Sequence, residues 1–192
     1  MRFGIPGDLV ARIQQDTGIR YAVETGTFLG GSSTTTTTTT TILARIFVRV
    51  WSIESSREYL EAAQQTLVRS GCADTVRLVH GESTACLGQL LRCVDGPALF
   101  WLDGHWSPWM PIDSRPQCPL LPELAAIADW PHASTSVLLI DDMSVFRERS
   151  DDGQLRPDEW PTPADLTSRL ADRFGDHDVR EVDDVLLVQP AQ

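Results

Sequence analysis

Tyr21-Ala22-Val23-Glu24-Thr25-Gly26-Thr27-Phe28-Leu29-Gly30-Gly31-Ser32 reads as a short β-strand ending in a carboxylate, then a glycine-rich turn, then hydroxyl residues able to start a helix. Strand, glycine turn and helix in that order make the ligand-binding turn of dinucleotide-binding-like α/β folds. Glycine there lets the backbone approach a ligand closely. The spacing is not Gly-x-Gly-x-x-Gly, because Phe28 stands where a second glycine would, and Gly30 follows Gly26 after three intervening residues. A ligand without a pyrophosphate suits that turn better than a dinucleotide.

Working outward, apolar runs and helical spacings alternate to the end of the chain, the pattern of a parallel sheet with helices on both faces. Residues 7–17 are spaced as an amphipathic helix, within an N-terminal helical segment 1–19. Ile42 to Phe47 ends a helix, and Val48 to Ile53 is a second strand closed by Glu54. Residues 56–70 place Tyr59, Leu60, Ala63 and Leu67 on one helical face, with Gly71 as the stop. Val76 to Val79 is a third strand, 84–94 a helix, and Ala98 to Leu102 a buried fourth strand ending at Asp103. Leu120 to Trp130 is a helix, and Ser136 to Ile140 a fifth strand ending at Asp141-Asp142. After a helix over 163–174, Val179–Val182 and Val185–Val188 flank Asp183-Asp184 as an antiparallel hairpin. The prediction is one domain over 1–192: a doubly wound, Rossmann-like, mostly parallel sheet with a C-terminal antiparallel hairpin.

Composition narrows the function. The chain has 192 residues, 42% hydrophobic and 22% charged, ordinary for a globular domain with a proper core. A net charge of −11 argues against a broad nucleic-acid or anionic-membrane surface. All basic residues are arginine, which excludes lysine Schiff-base chemistry and a Walker-type phosphate lysine. No signal-peptide core or bilayer-length apolar run is present. Cys72, Cys86, Cys93 and Cys118 form no Cys-x-x-Cys pair, and Cys86 and Cys93, seven apart on a helix, read as core thiols. The expectation is a reduced, cytoplasmic protein.

Three segments break the rhythm. Residues 105–119, with Trp106, Trp109 and Met110, and residues 143–162, with Arg147, Arg149, Arg156 and Trp160, follow strand ends, where open sheets bind ligands. Both are expected to be loops acting as lids or acceptor walls. The third is the run of eight threonines at 34–41, which occupies the expected first crossover helix. Threonine there costs roughly 4–5 kcal/mol of helix propensity in total. Only Ser32 to Thr34 have an evident task, as caps or ligand donors; the rest reads as a tolerated repeat expansion.

Carboxylates end successive strands at Glu24, Glu54 and, after the third strand, Glu82. A strand-end acid at Glu54 can accept both hydroxyls of a ribose, and Glu82 can take an adenine edge. Acids in series suit adenosine with a cationic tail rather than a phosphate. These motifs, with Asp103, Asp141 and the closing hairpin, resemble the class I S-adenosylmethionine-dependent methyltransferases over roughly residues 20–189, whose sheet has seven strands. The resemblance implies a cofactor site of Glu24, Gly26, Thr27, Phe28, Gly30, Ser32, Glu54, Ser55, Glu82, Ser83 and Asp103. In it Gly26 packs on the methionine part, Glu54 holds the ribose, and Glu82 with Ser83 faces adenine.

A second constellation joins Asp103-Gly104-His105-Trp106 to Asp141-Asp142-Met143. Neighbouring parallel strands bring the three aspartates to one edge, where they repel unless a proton or cation neutralises them. Oxygen ligands suit magnesium or a similar hard divalent ion. The spacing is similar to that of the metal-dependent sugar O-methyltransferases of macrolide and aminocoumarin pathways, with His105 in place of a second Asp. By that likeness Asp103, Asp141 and Asp142 are metal ligands, and His105, with Asp103, is catalytic, the histidine as general base. The expected acceptor is a small hydroxylated metabolite or sugar, and a second subunit, in a homodimer, could complete its pocket. Two other readings stand beside this one: a metal-independent methyltransferase, and a catalytically silent cofactor-binding domain acting as a partner. His80, His132 and His177 read as structural or surface residues.

Overall fold

The computed structural model describes residues 4–28, 38–107, 115–148 and 154–191. Its elements alternate as the sequence predicts: α1 (Gly7–Thr17), β1 (Tyr21–Thr25), α2 (Thr39–Ile46), β2 (Arg49–Glu54), α3 (Arg57–Arg69), β3 (Val76–His80), α4 (Ser83–Leu90), β4 (Ala98–Leu102), α5 (Leu120–Ala128), β5 (Val137–Ile140), α6 (Met143–Glu148), α7 (Pro163–Arg173), β6 (His177–Val182) and β7 (Val185–Pro190).

The seven strands form one sheet in the order β3-β2-β1-β4-β5-β7-β6. Strands β1 to β5 are parallel, and β7 runs antiparallel to both β5 and β6. A parallel sheet covered on both faces needs strands apolar in both directions, and β4 and β5 are buried at every position. Phe100, Leu138 and Val188 face one layer, with Leu87 of α4, Leu124 of α5, Phe146 of α6 and Leu166 of α7. Leu99, Leu139 and Leu187 face the other, with Leu9 of α1, Leu43 of α2 and Leu67 of α3. This is the doubly wound class I methyltransferase fold. The order reverses between β1 and β4, so their carboxyl ends open the crevice in which such sheets bind ligands.

Three expectations change. Residues 143–162 are not wholly loop, since α6 begins directly after Asp142. Its start is capped from the hairpin, where the Asp184 carboxylate accepts from Ser144 N (2.6 Å) and Ser144 Oγ (2.7 Å). No local signal announces a cap that lies forty residues away. Second, the threonine tract has structural work. Thr38 caps α2 in a reciprocal box with Thr41, and Thr40 and Thr41 are buried. Third, Cys93 is exposed on a 3-10 turn that closes the α4 segment and Cys86 is half-buried, whereas Cys72 and Cys118 are the buried thiols. Among the described residues no helix is long and apolar enough to cross a membrane.

Candidate active site

At the switch point a cleft of about 310 Å³ opens between the ends of β1, β2, β3, β4 and β5. Gly26, Phe28, Glu54, Ser55, Glu82, Ser83, Asp103, Asp141 and Asp142 line it. Most of the expected cofactor and metal residues thus meet in one place. Glu24 and Thr27 lie behind its wall, and Gly30 and Ser32 lie outside the described residues, as do Trp109, Met110 and Arg149.

The turn after β1 is built by contact as well as by conformation. Gly26 has φ +84°, and a Cβ on it would overlap the Asp103 carbonyl. That glycine lets the first and fourth strand ends touch. Phe28, the residue standing for a second glycine, adopts φ +54°, a left-handed conformation costly for a side chain of its size. Glu54 holds it there, accepting Phe28 N–H at 2.7 Å through Oε2 and Ser56 N–H at 2.8 Å through Oε1. The Phe28 ring meets Tyr59 edge-on at 5.0 Å, at the cleft mouth.

Glu24 is fully buried beneath the cleft. Its Oε2 accepts from Thr40 Oγ1 (2.7 Å) and Ser52 Oγ (2.5 Å), and Thr27 Oγ1 joins Ser52 Oγ behind them. Burial pushes the Glu24 carboxyl up to about 7, against the pull of those hydroxyls. Glu24 therefore ties the threonine helix to the first two strands and does not line the cleft.

The second constellation gathers around His105, which is 9% exposed. Its Nδ1 lies 3.1 Å from the Trp106 carbonyl, which can only accept, so Nδ1 carries a proton there and Nε2 is the ring nitrogen turned to the carboxylates. Nε2 is buried without a hydrogen-bond partner, 3.4 Å from Asp103 Oδ1 and 3.5 Å from Asp142 Oδ2. One ligand atom from each of Asp103, His105 and Asp142 falls within 4.8 Å of the others. Asp142 reaches this group because its own φ is +55°, which turns its side chain away from the course of β5. Asp141 lines the cleft beside them but stands outside that close triad. Burial drives the Asp103 carboxyl well above its ordinary range, and the neighbouring charges of Asp142, Glu24 and Glu123 push the same way. Asp141 is raised to about 7 by burial and then by Asp103 and Asp142. The His105 ring nitrogen facing two crowded carboxylates makes a donor set of one nitrogen and two oxygens. It fits a divalent cation, and the Nδ1–H bond to a carbonyl is the support that metal-bound histidines usually have.

Sequence reasoning missed the residues that hold this group in place. Glu123, 1% exposed on α5, sits below His105 with its carboxyl raised by burial; an acid inside the apolar run Leu120–Ala128 was the available signal. Gln117, 3% exposed, clamps the two expected loops together. Its Nε2 donates to the Gln154 carbonyl (2.8 Å), its Oε1 accepts from Arg156 N (2.7 Å) and Trp160 Nε1 (3.3 Å), and its carbonyl accepts from Trp106 N (2.7 Å). Trp160, expected at an acceptor wall, is buried against the His105 ring at 5.2 Å. Arg115 extends the clamp across the cleft, donating to Ser55 Oγ (2.8 Å) and Glu82 Oε1 (3.0 Å). Nothing in the sequence distinguishes Gln117 or Arg115 from ordinary loop residues.

No sequence-family model matches the chain, and no curated protein matches it. Solved structures do. The O-methyltransferase TomG of Streptomyces achromogenes, involved in tomaymycin synthesis and solved with S-adenosylmethionine, is 19% identical at a TM-score of 0.66, over 97% of this chain and 79% of that one. An O-methyltransferase from Bacillus cereus, in complex with S-adenosylhomocysteine, is 17% identical at a TM-score of 0.61, over 95% and 80%. An rRNA methylase from Streptococcus thermophilus covers each chain in full at 14% identity and a TM-score of 0.55. The likeness at these identities is one of fold.

Proposed function

We propose that this chain is an S-adenosylmethionine-dependent O-methyltransferase that uses a divalent cation and acts on a small hydroxylated acceptor. The observation that carries the reading is one cleft whose wall joins Gly26, Glu54 and Glu82 to Asp103 and Asp142, the two carboxylates that His105 Nε2 faces. TomG and the Bacillus enzyme, O-methyltransferases solved with bound cofactor or product, support the assignment. The fold is also shared with an rRNA methylase, but a net charge of −11 argues against an RNA acceptor, which calls for a basic surface.

In this reading Gly26 packs against the methionine part, Glu54 accepts from the ribose hydroxyls, and Glu82 and Ser83 border the adenine. Asp103, Asp142 and His105 Nε2 hold the cation, and Asp141 stands beside them. His105 thereby becomes a ligand rather than the general base of the sequence expectation, because its Nε2 faces the carboxylates and its ring is absent from the cleft wall. A bound divalent cation supplies positive charge next to the acceptor hydroxyl and lowers its pKa. The chain itself contributes orientation, since methyl transfer needs the acceptor oxygen in line with the sulfonium carbon. One imidazole nitrogen beside two carboxylates favours manganese or a similar ion over the magnesium expected from oxygen ligands alone.

The test is calorimetric titration of S-adenosylhomocysteine, manganese and magnesium into the wild type, H105A, D141N and D142N, together with methyl transfer to hydroxylated acceptors with and without chelator. Product binding in all four proteins is expected, manganese binding is expected to weaken at least tenfold in H105A and D142N and less in D141N, and chelator is expected to stop turnover. Turnover insensitive to chelator would overturn the metal reading, and absence of product binding would overturn the cofactor reading.

A further inference from the structure

The strand β6, His177–Val182, ends the sheet, and its outer edge pairs with no strand among the described residues. Its positions are exposed or half-buried throughout, and Val179 is 38% exposed. We infer that this edge is a homodimer interface, in which β6 of a second copy of the chain pairs antiparallel about a two-fold axis centred on Val179.

The register follows from the hairpin. Asp183 and Asp184 both have positive φ, 50° and 69°, and Val182 pairs with Val185 across this two-residue turn. The pair flanking such a turn shares its hydrogen bonds, and bonded pairs then alternate along an antiparallel ladder. Arg180 and Asp178 accordingly turn their backbone groups toward β7, while Val179 and Glu181 turn theirs outward. A symmetric ladder must set outward residues against outward residues, so its axis passes through a residue and not between two. Centring on Asp178, Arg180 or Glu181 sets a charge against its own copy, which is destabilising. Centring on Val179 sets valine against valine and Asp178 against Arg180 twice, on one face of the sheet. No like charges meet in that register alone.

Charges on an edge strand ordinarily discourage pairing. The order Asp178-Val179-Arg180 makes them complementary to a second copy of themselves, and an isologous contact requires that self-complementarity. Arg180 also shares a groove of about 620 Å³ with Arg12 and Asp16 of α1 on the same face. Asp178 of the second copy would bring its carboxylate to the side of the strand where those two guanidiniums lie. Two short strands bury a modest area, so the dimer is expected to depend on concentration.

The experiment is sedimentation equilibrium on the full chain over a hundredfold range of concentration. The wild type is expected to rise from 21.3 kDa toward twice that mass. D178R, which sets guanidinium against guanidinium, is expected to stay monomeric, and the double variant D178R/R180D is expected to restore the dimer. V179P removes the outward amide and the valine at the axis without breaking a hydrogen bond to β7, and is expected to stay monomeric with an unchanged melting temperature. A wild type that remains at the monomer mass, or a D178R dimer as tight as the wild type, would overturn the inference.

Discussion

At the scale of single residues, the buried acids set the pH behaviour. Glu24 binds its proton more tightly in the folded chain, with a pKa of about 7 against an ordinary 4.5, because burial outweighs the hydroxyls of Thr40 and Ser52. The stability linked to that proton is full below about 4.5 and is lost as the pH climbs through about 7. The loss is of the order of 3 kcal/mol for a group this deeply buried. E24Q, which keeps the shape without the charge, is therefore expected to melt higher than the wild type at pH 8, with the gap closing at pH 5. Melting curves of both proteins at the two values check this, and a gap that widens toward acid would contradict it. Glu24 could be seen in the sequence as a strand-end carboxylate. That it is buried against Thr40 and Ser52 and does not line the cleft could not, because β1 alone does not say which neighbours surround its end.

At the scale of elements, two segments that carry no motif do much of the positioning. Thr38 accepts Thr41 N–H at 3.1 Å and caps the helix that delivers Thr40 to Glu24. T38A is expected to cost about 1 kcal/mol in urea unfolding, the usual loss for a helix cap. A silent T38A would mean the tract is merely tolerated. Gln117 fastens the stretch after β4 to the one after α6, and with them Trp160 to His105. Q117L removes three side-chain hydrogen bonds from a buried site and is expected to cost about 3 kcal/mol of stability. It should also weaken divalent-ion binding while sparing S-adenosylhomocysteine; equal loss of both would place Gln117 in general stability alone.

At the scale of the whole molecule, cofactor binding across the switch point should stabilise the sheet that forms it. S-adenosylhomocysteine at a hundred times its dissociation constant should add about 2.7 kcal/mol to the folded state, seen as a rise in melting temperature. In E54A the rise should shrink at the same ligand concentration, since Glu54 lines the cleft and holds Phe28 at its mouth. An unchanged rise would move the ribose elsewhere.

The sequence by itself determined the order of the elements, the faces they bury and the edge on which the acids gather. These follow from periodicity, from glycine at the first turn and from carboxylates at the strand ends, all of which are local. It also carried the hairpin at Asp183-Asp184, because a two-residue turn with positive φ is a property of its own residues. The tertiary structure alone decided which acids touch which. Asp184 caps α6 from across the sheet, Gly26 lies against the Asp103 carbonyl, and His105 Nε2 turns toward Asp103 and Asp142 rather than into the cleft. Such contacts join residues far apart in the chain or depend on one backbone torsion, and neither leaves a trace in spacing or composition.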